Sequence, residues 1–244
     1  MYQPQFNVQK QQLLTAEALI RWNHPQKGLV LPLDLIPAAE ATGLIILLGE
    51  WVINEVCKQH QAWRAAGLPP IRIAINVSMY QLRQLNFASN LQQILLVHDV
   101  AAQYIEIEIA ETILLAHHGV LPMINELKRV GVRVVIDDFG SAHSSMNYLK
   151  ELHIDGLKID PSFVKNIAKI EHDEWVIKAI IAIAKSLNFN VFAEGVETQN
   201  QLNFLQNHQC DGLQGYHFSR PIPAESVTTV FKHAYTINEE WSRH

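Results

Sequence analysis

The chain has 244 residues, 48% of them apolar and 18% charged. That is enough apolar material for a substantial core and too little charge for a disordered chain. Nineteen Lys and Arg against 24 Asp and Glu leave a net charge of −5, which argues against DNA or RNA binding by bulk electrostatics.

In chain order, β-branched and alternating runs predict strands over 2–8 and 13–22, joined by the polar stretch Gln9 to Gln12 as a hairpin. The opening Tyr2-Gln3-Pro4-Gln5 is polar and lacks the apolar core of a secretory signal. A helix is predicted over 47–66. Pro69-Pro70 then forms an αβ loop before a strand over 71–77. Helices over 87–98 and 119–130 flank a strand over 104–109, and strands over 132–136 and 154–159 come next. The chain continues with a helix over 175–187, a strand over 190–193, a helix over 199–207 and a weak strand near Gly212. Its longest apolar stretch, around Leu44 to Leu48, falls far short of the ~20 residues of a membrane span, so a cytoplasmic domain is expected. Cys57 and Cys210 are far apart and form no Cys-x-x-Cys pair, which excludes a cysteine zinc site and argues against a disulfide framework.

After the hairpin the pattern is strand–helix throughout, which implies a parallel sheet. Eight strands in this length fit a closed TIM-like (β/α)8 barrel with an irregular start. An open doubly wound sheet is the alternative. No interdomain linker interrupts the chain, so residues 1–244 read as one domain.

The charges fall at particular places within the strands. In Ile105-Glu106-Ile107-Glu108-Ile109 the isoleucines take one face and the glutamates the other. Arg72, Ala74 and Asn76 oppose the apolar face of the 71–77 strand, and Lys158 points away from Leu157 and Ile159. Glu17 and Arg21 are expected to share a face of the second strand. The 132–136 strand runs into Asp137-Asp138, and Val191-Phe192-Ala193 runs into Glu194. Barrel chemistry sits at C-terminal strand ends. There Glu17, Asn76, Glu108, Asp137, Asp138, Lys158 and Glu194 would crowd five carboxylates around one mouth. Carboxylates that close raise one another's pKa, and a bound divalent cation resolves the conflict. Oxygen ligands suit Mg²⁺ or Mn²⁺. Adjacent aspartates suit two such ions ~3.5–4 Å apart, a device for displacement at phosphorus.

Each residue alone has a plainer reading. Asp137-Asp138 suits a turn or helix cap, Asn76 a turn, Glu17 a helix-former, and Lys158 a side chain snorkelling to solvent. Their joint placement at successive strand ends is what favours a shared site. Twelve histidines show no His-x-x-x-His or His-Glu-x-x-His spacing, although His143 lies near the aspartate pair. His117-His118 reads as a helix cap. Ser144-Ser145 has no Gly-x-Ser-x-Gly context.

Glu17-Ala-Leu-Ile-Arg-Trp, succeeded by His24-Pro25 and Gly28, resembles the signature of the EAL domain. Six further motifs occur in family order: Asn76-Val-Ser78, Glu108-Ile-Ala-Glu111, Asp137-Asp-Phe-Gly140, Leu157-Lys-Ile-Asp160, Ala193-Glu-Gly-Val-Glu-Thr198 and Gln214-Gly-Tyr216. The resemblance covers essentially the whole chain. It implies a barrel with an antiparallel first strand and a bacterial signalling phosphodiesterase that opens cyclic di-GMP to linear pGpG. It also implies dependence on two Mg²⁺ or Mn²⁺ ions and inhibition by Ca²⁺. By motif, Glu17, Asn76, Glu108 and Asp137 look like the ligands of one metal. Asp137, Asp138 and Glu194 look like those around the second, with Glu194 also a candidate base. Lys158 resembles the lysine that orients the attacking water, and Arg21 the arginine that meets a phosphate. Gln214 and Glu197 resemble supporting, substrate-side residues. Glu111 resembles the glutamate that anchors the loop after Asp138.

That loop, residues 139–148, is linked in the family to homodimerisation and control. A preceding sensor or GGDEF domain, and with it a possible membrane tether, is expected in a longer protein. The chain departs from the family at Ala110, Ala142-His143 and Pro161, none of them a metal-ligand position. Two other readings are a catalytically silent EAL domain that senses cyclic di-GMP or scaffolds partners, and a barrel enzyme acting on another phosphoester.

Overall fold

The computed structural model describes residues 1–7, 12–116, 118–141 and 146–230. Strand β1 (Tyr2–Asn7) runs antiparallel to β2 (Leu13–Ala18), as the predicted hairpin requires. The strand expected over 13–22 is shorter. β1 begins at Tyr2, and the last bond on that side runs from the Leu19 amide to the Met1 carbonyl at 2.9 Å. Trp22 belongs instead to a separate ribbon, β3 (Trp22–His24) with β4 (Gly28–Val30). The His24 ring nitrogen Nδ1 closes its turn by accepting from the amides of Gln26 at 3.0 Å and Lys27 at 3.1 Å. Arg21 therefore does not continue the Glu17 face.

Helix α1 (Pro32–Ala41), which the periodicity does not reveal, starts with Pro32 in the first turn, where a missing N–H costs nothing, and carries Pro37 inside. Helix α2 (Ile45–Ala65) buries Ile45, Gly49, Ile53, Val56, Cys57, His60 and Trp63 along one stripe, the 3.6-residue pattern of a helix laid on a sheet. Then come β5 (Arg72–Asn76), α3 (Met79–Leu82), α4 (Phe87–Val97), β6 (Ile105–Ala110), α5 (Glu111–Ala116) and α6 (Leu121–Val130). Gly131, at φ 97°, ends α6 in the left-handed conformation that glycine adopts without a Cβ penalty. The remainder is β7 (Arg133–Phe139), β8 (Gly156–Ile159), α7 (Pro161–Lys165), α8 (Glu171–Ser186), β9 (Asn190–Ala193), α9 (Gln199–Asn207) and β10 (Gly212–Leu213).

Among the described residues eight strands close into a barrel in the order β1-β10-β9-β8-β7-β6-β5-β2, which rules out the open doubly wound sheet. All ladders from β2 round to β10 are parallel; β1 is antiparallel to both its neighbours. The outer strand faces (Ile73, Ile75, Ile105, Ile107, Ile109, Val134, Ile136, Leu157, Ile159) form one core with α2, α4, α6 and α8. The lumen holds polar side chains toward the C-terminal strand ends alongside Ala74, Val135 and Phe192, and this is what positions the site. No helix among the described residues is long and apolar enough to cross a membrane. Cys57 and Cys210 are buried, unpaired thiols.

Candidate active site

The strand alternation that sends isoleucines outward sends Glu17 (β2), Asn76 (β5), Glu108 (β6), Asp137 (β7) and Lys158 (β8) into the lumen. Parallel pairing holds them at similar height: Ala74 stands beside Glu17, Asn76 beside Glu108 and Ala110 beside Asp137. Lys158, 1% exposed, is the hub. Its Nζ lies 2.9 Å from Glu108 Oε1, 3.5 Å from Asp137 Oδ1 and 3.7 Å from Glu17 Oε2, and it also pairs with Glu194, just beyond β9. One cation from β8 thus touches carboxylates carried by four other strands or just past their ends, a geometry open only to a side chain inside the barrel.

Glu17 is held from both sides. Asn76 Nδ2 donates to its Oε1 at 2.7 Å and Gln214 Nε2 to its Oε2 at 2.6 Å. Gln214 lies just beyond β10, so this bond spans the seam where the barrel closes. Two residues not anticipated from sequence complete the network. Gln214 Nε2 also donates to Gln3 Oε1 at 3.0 Å. Gln5 Nε2 donates to Gln214 Oε1 at 2.9 Å and to Glu108 Oε1 at 3.4 Å. A signal was present: Gln3 and Gln5 alternate around Pro4, as inward-facing residues of a strand do.

Asp138 sits on a bulge. The β7–β8 register shifts between Ile136 and Phe139, and Asp138 takes φ 52°, uncommon for a residue with a side chain. The bulge turns two successive aspartates to the same mouth. The Asp138 amide donates to Asp137 Oδ1 at 2.9 Å, and buried Glu111 Oε2 accepts from the Gly140 amide at 2.9 Å, fixing the chain just past the bulge. Asp137, Asp138 and Glu194 each present a carboxylate oxygen within 4.8 Å of the others. Glu197 is exposed, and with Glu17, Glu194, Gln214 and Tyr216 it lines a cavity of about 370 Å³ at the mouth. Arg21 stands three residues past β2, its guanidinium donating to the Ile20 carbonyl at 2.7 Å. His143, Ser144 and Ser145 lie outside the described residues, as do Ala142 and His117.

Glu106, on the same face of β6 as Glu108, is not part of the mouth. It lies deeper in the lumen, where Arg133 Nε approaches its Oε2 at 3.1 Å and Arg72 Nη1 at 3.8 Å.

The charges are strongly perturbed. Burial works against ionised Lys158, but Asp137, Glu108, Glu17 and Glu194 outweigh it and hold its pKa well above the ordinary lysine value. Burial also opposes ionised Glu17; Lys158 and the bonds from Gln214 and Asn76 prevail and keep its pKa low. Glu108 goes the other way: burial, then Glu17, Asp137 and Glu106, drive it well up against the pull of Lys158. Burial, with Asp137 and Asp160 adding, raises Asp138 to about 6. Burial also raises Glu194 to about 8, with Lys158 opposing and Asp137 and Glu17 adding. Glu108 Oε2 is buried without a hydrogen-bond partner among the described residues. A set of hard oxygen donors with an orphaned carboxylate oxygen and more negative charge than one lysine balances fits a hard divalent cation.

Comparison with known proteins identifies the family. A family model, "EAL domain", matches residues 1–221. The bifunctional diguanylate cyclase/cyclic di-GMP phosphodiesterase MucR of Pseudomonas aeruginosa is 38% identical over 227 residues, 93% of this chain and 33% of that protein. The cyclic di-GMP phosphodiesterase PdeR of Escherichia coli is 36% identical over 234 residues, 95% of this chain and 35% of that protein. The chain thus spans about a third of the length of these curated relatives. Among solved structures, the MucR phosphodiesterase in complex with c-di-GMP superposes with a TM-score of 0.88 at 37% identity, covering 93% of this chain and 92% of that one. The EAL enzyme Bd1971, in its cAMP- and cyclic-di-GMP-bound form, gives 0.88 at 31% identity, covering 94% of this chain and 63% of that one. With the signature motifs spread over the strand ends of such a barrel and matched from the first residue to the last strand, the chain belongs to the EAL domain family.

Proposed function

We propose that this domain hydrolyses cyclic di-GMP to linear pGpG with two divalent cations, Mg²⁺ or Mn²⁺. The observation that carries the reading is the ring of Glu17, Asn76, Glu108, Asp137, Asp138 and Glu194 around one buried lysine. Every position at which the family motifs place a metal ligand carries a residue able to serve as one. Glu17, Asn76, Glu108 and Asp137 would hold one ion, and Asp137, Asp138 and Glu194 the other. When bound, the ions would lower the pKa of water and neutralise charge growing on the phosphoryl oxygens. Ca²⁺, which takes more ligands at longer distances, would bind without supporting turnover.

The chain's own groups do the rest. Arg21 and the cavity lined by Glu197 and Gln214 receive the dinucleotide, with Arg21 meeting a phosphate. Lys158 donates toward the attacking water. Glu194, at the edge of the same carboxylate cluster, is placed to take that water's proton. The water oxygen bonds to phosphorus in line as the P–O3′ bond breaks, and a proton returns to the 3′ oxygen. Glu111 holds the bulge that presents Asp138. As part of the same proposal, residues 1–244 form one EAL domain of a longer cytoplasmic or membrane-tethered protein. A sensor or GGDEF domain precedes it there, and it pairs as a homodimer through the region after Asp138. These points rest on the family resemblance, and residues 142–145 of the loop lie outside the described residues.

The test is chromatography of cyclic di-GMP incubated with the protein and Mn²⁺ or Mg²⁺, with Glu17→Ala as control. The expected result is pGpG from the wild type and at least a hundredfold less from Glu17→Ala, on the order of the cost of deleting one catalytic electrostatic group. Nucleotide binding without product would instead indicate a sensor domain. Undiminished turnover by Glu17→Ala would refute the assigned metal site.

A further inference from the structure

Gln5 lies opposite Thr15 in the β1–β2 pairing and is 1% exposed. None of the family motifs includes it. Both donor positions of its amide are in use: Nε2 reaches Glu108 Oε1 at 3.4 Å and Gln214 Oε1 at 2.9 Å. Its own carbonyl oxygen is buried with no hydrogen-bond partner among the described residues. A side chain whose acceptor goes unused while both donors are aimed is placed for what it donates to.

The bond to Gln214 decides an orientation. A carboxylate accepts hydrogen bonds and cannot donate them, so Gln214 must turn its Nε2 toward Glu17, as it does at 2.6 Å. That turns its carbonyl the other way, where only a donor stabilises it, and Gln5 Nε2 is that donor. One amide on the antiparallel strand therefore touches Glu108 directly and fixes Glu17 through Gln214, across the seam where β1 meets β10. These two glutamates are assigned above to the same ion.

We propose that Gln5 is a positioning residue for the metal site, setting the Glu108 carboxylate and the Gln214 amide so that Glu108 and Glu17 face a common cation. This rests on the metal reading of the site. The general expectation is that hydrogen-bond partners behind metal-ligating groups govern affinity by about 10–100-fold.

The experiment is titration of the protein with Mn²⁺, following free ion by electron paramagnetic resonance, with a thermal melt of each variant in chelator. Gln5→Met keeps the volume and removes the donors. It is expected to weaken the tighter Mn²⁺ site by about tenfold or more while melting within a few degrees of wild type, because the unsatisfied Gln5 carbonyl it removes offsets the Gln214 carbonyl it leaves without a donor. Thr15→Val, which alters another buried polar group beside Gln5 without touching the carboxylates, is expected to bind Mn²⁺ like wild type. If Gln5→Met does not fold, Gln5→Asn withdraws the same donors by one methylene and is expected to show the same loss. Mn²⁺ affinity of the folded variant within twofold of wild type overturns the role of Gln5 and leaves the metal site standing. An equal loss in Thr15→Val overturns it too, by showing a general response of the lumen. A wild-type protein that binds no Mn²⁺ overturns both readings at once.

Discussion

Lys158 carries the electrostatics of the mouth. It is 1% exposed and faces Glu17, Glu108, Asp137 and Glu194. Removing one partner of a buried charge cluster leaves the rest uncompensated, at a cost of about 3–5 kcal/mol. Lys158→Met is therefore expected to lower metal-free stability by about that amount, measured by denaturant unfolding in chelator. A variant as stable as wild type would mean that the carboxylates are neutral without it. Glu111 acts at one remove. Its carboxylate accepts from the Gly140 amide and so holds the turn after the Asp138 bulge. Glu111→Ala is expected to cut turnover about 10–100-fold and to raise the Mn²⁺ requirement while leaving the melting temperature within a few degrees. Unchanged Mn²⁺ dependence would detach Glu111 from the site. At this scale most of the site was legible in the sequence, because strand alternation sorts Glu17, Asn76, Glu108 and Lys158 from their apolar neighbours. Alternation gives a face but not a height. It could not tell that Glu106, two residues from Glu108, would sit deeper and pair with Arg133 and Arg72.

At the scale of elements, the parallel ladders set strand ends level, and the segments just past those ends bring in Glu194 and Gln214. The segment after β10 packs directly against the backbone of that after β9. A Cβ built on Gly215 would stand 2.1 Å from the Val196 carbonyl oxygen and 2.3 Å from its nitrogen, backbone atoms that cannot rotate away. Gly215→Ala is expected to destabilise by about 3 kcal/mol, at the upper end of overpacking costs, and to shift Gln214 from Glu17. Calorimetry showing a wild-type melting temperature would contradict the packing described. Helix positions with clear periodicity were legible: α9 matches its predicted range, and α2 and α4 start or stop within two residues of theirs. Those shaped by proline or by brevity were not: α1 with Pro32 and Pro37, and the four-residue α3. Neither displays the apolar repeat that a sequence reading depends on.

For the whole molecule, the crowded mouth makes metal-free stability depend on pH. Glu194 has an ordinary value of 4.5 and stands at about 8 in the fold. The folded protein therefore keeps a proton that the unfolded chain has released, and stability falls as pH rises from about 4.5 towards 8. His60 has a lowered value, from burial and Arg64, and acts in the opposite sense below about 6.5. A comparison with Glu194→Gln cancels it. In chelator, the melting temperature of Glu194→Gln relative to wild type is expected to rise steadily between pH 5 and 8.5. Saturating Mn²⁺ should stabilise wild type most at the alkaline end, where protons no longer compete. A difference that stays flat with pH would place the Glu194 carboxyl outside the cluster.

The sequence by itself determined the class of fold, the eight strands and the residue types at their mouths, since alternation, helix spacing and strand–helix rhythm are local properties that neighbours along the chain impose. The tertiary structure alone decided how the barrel closes. An antiparallel β1 meets β10 across more than 200 residues of sequence and brings Gln3 and Gln5 into the network of Glu17, Gln214 and Glu108. It also decided that the chain leaves β2 after Ala18, short of Arg21, and that a bulge turns Asp138 beside Asp137. In each case the deciding interaction joins residues whose separation in sequence carries no periodic signal, and only the closed ladder brings them within hydrogen-bonding reach.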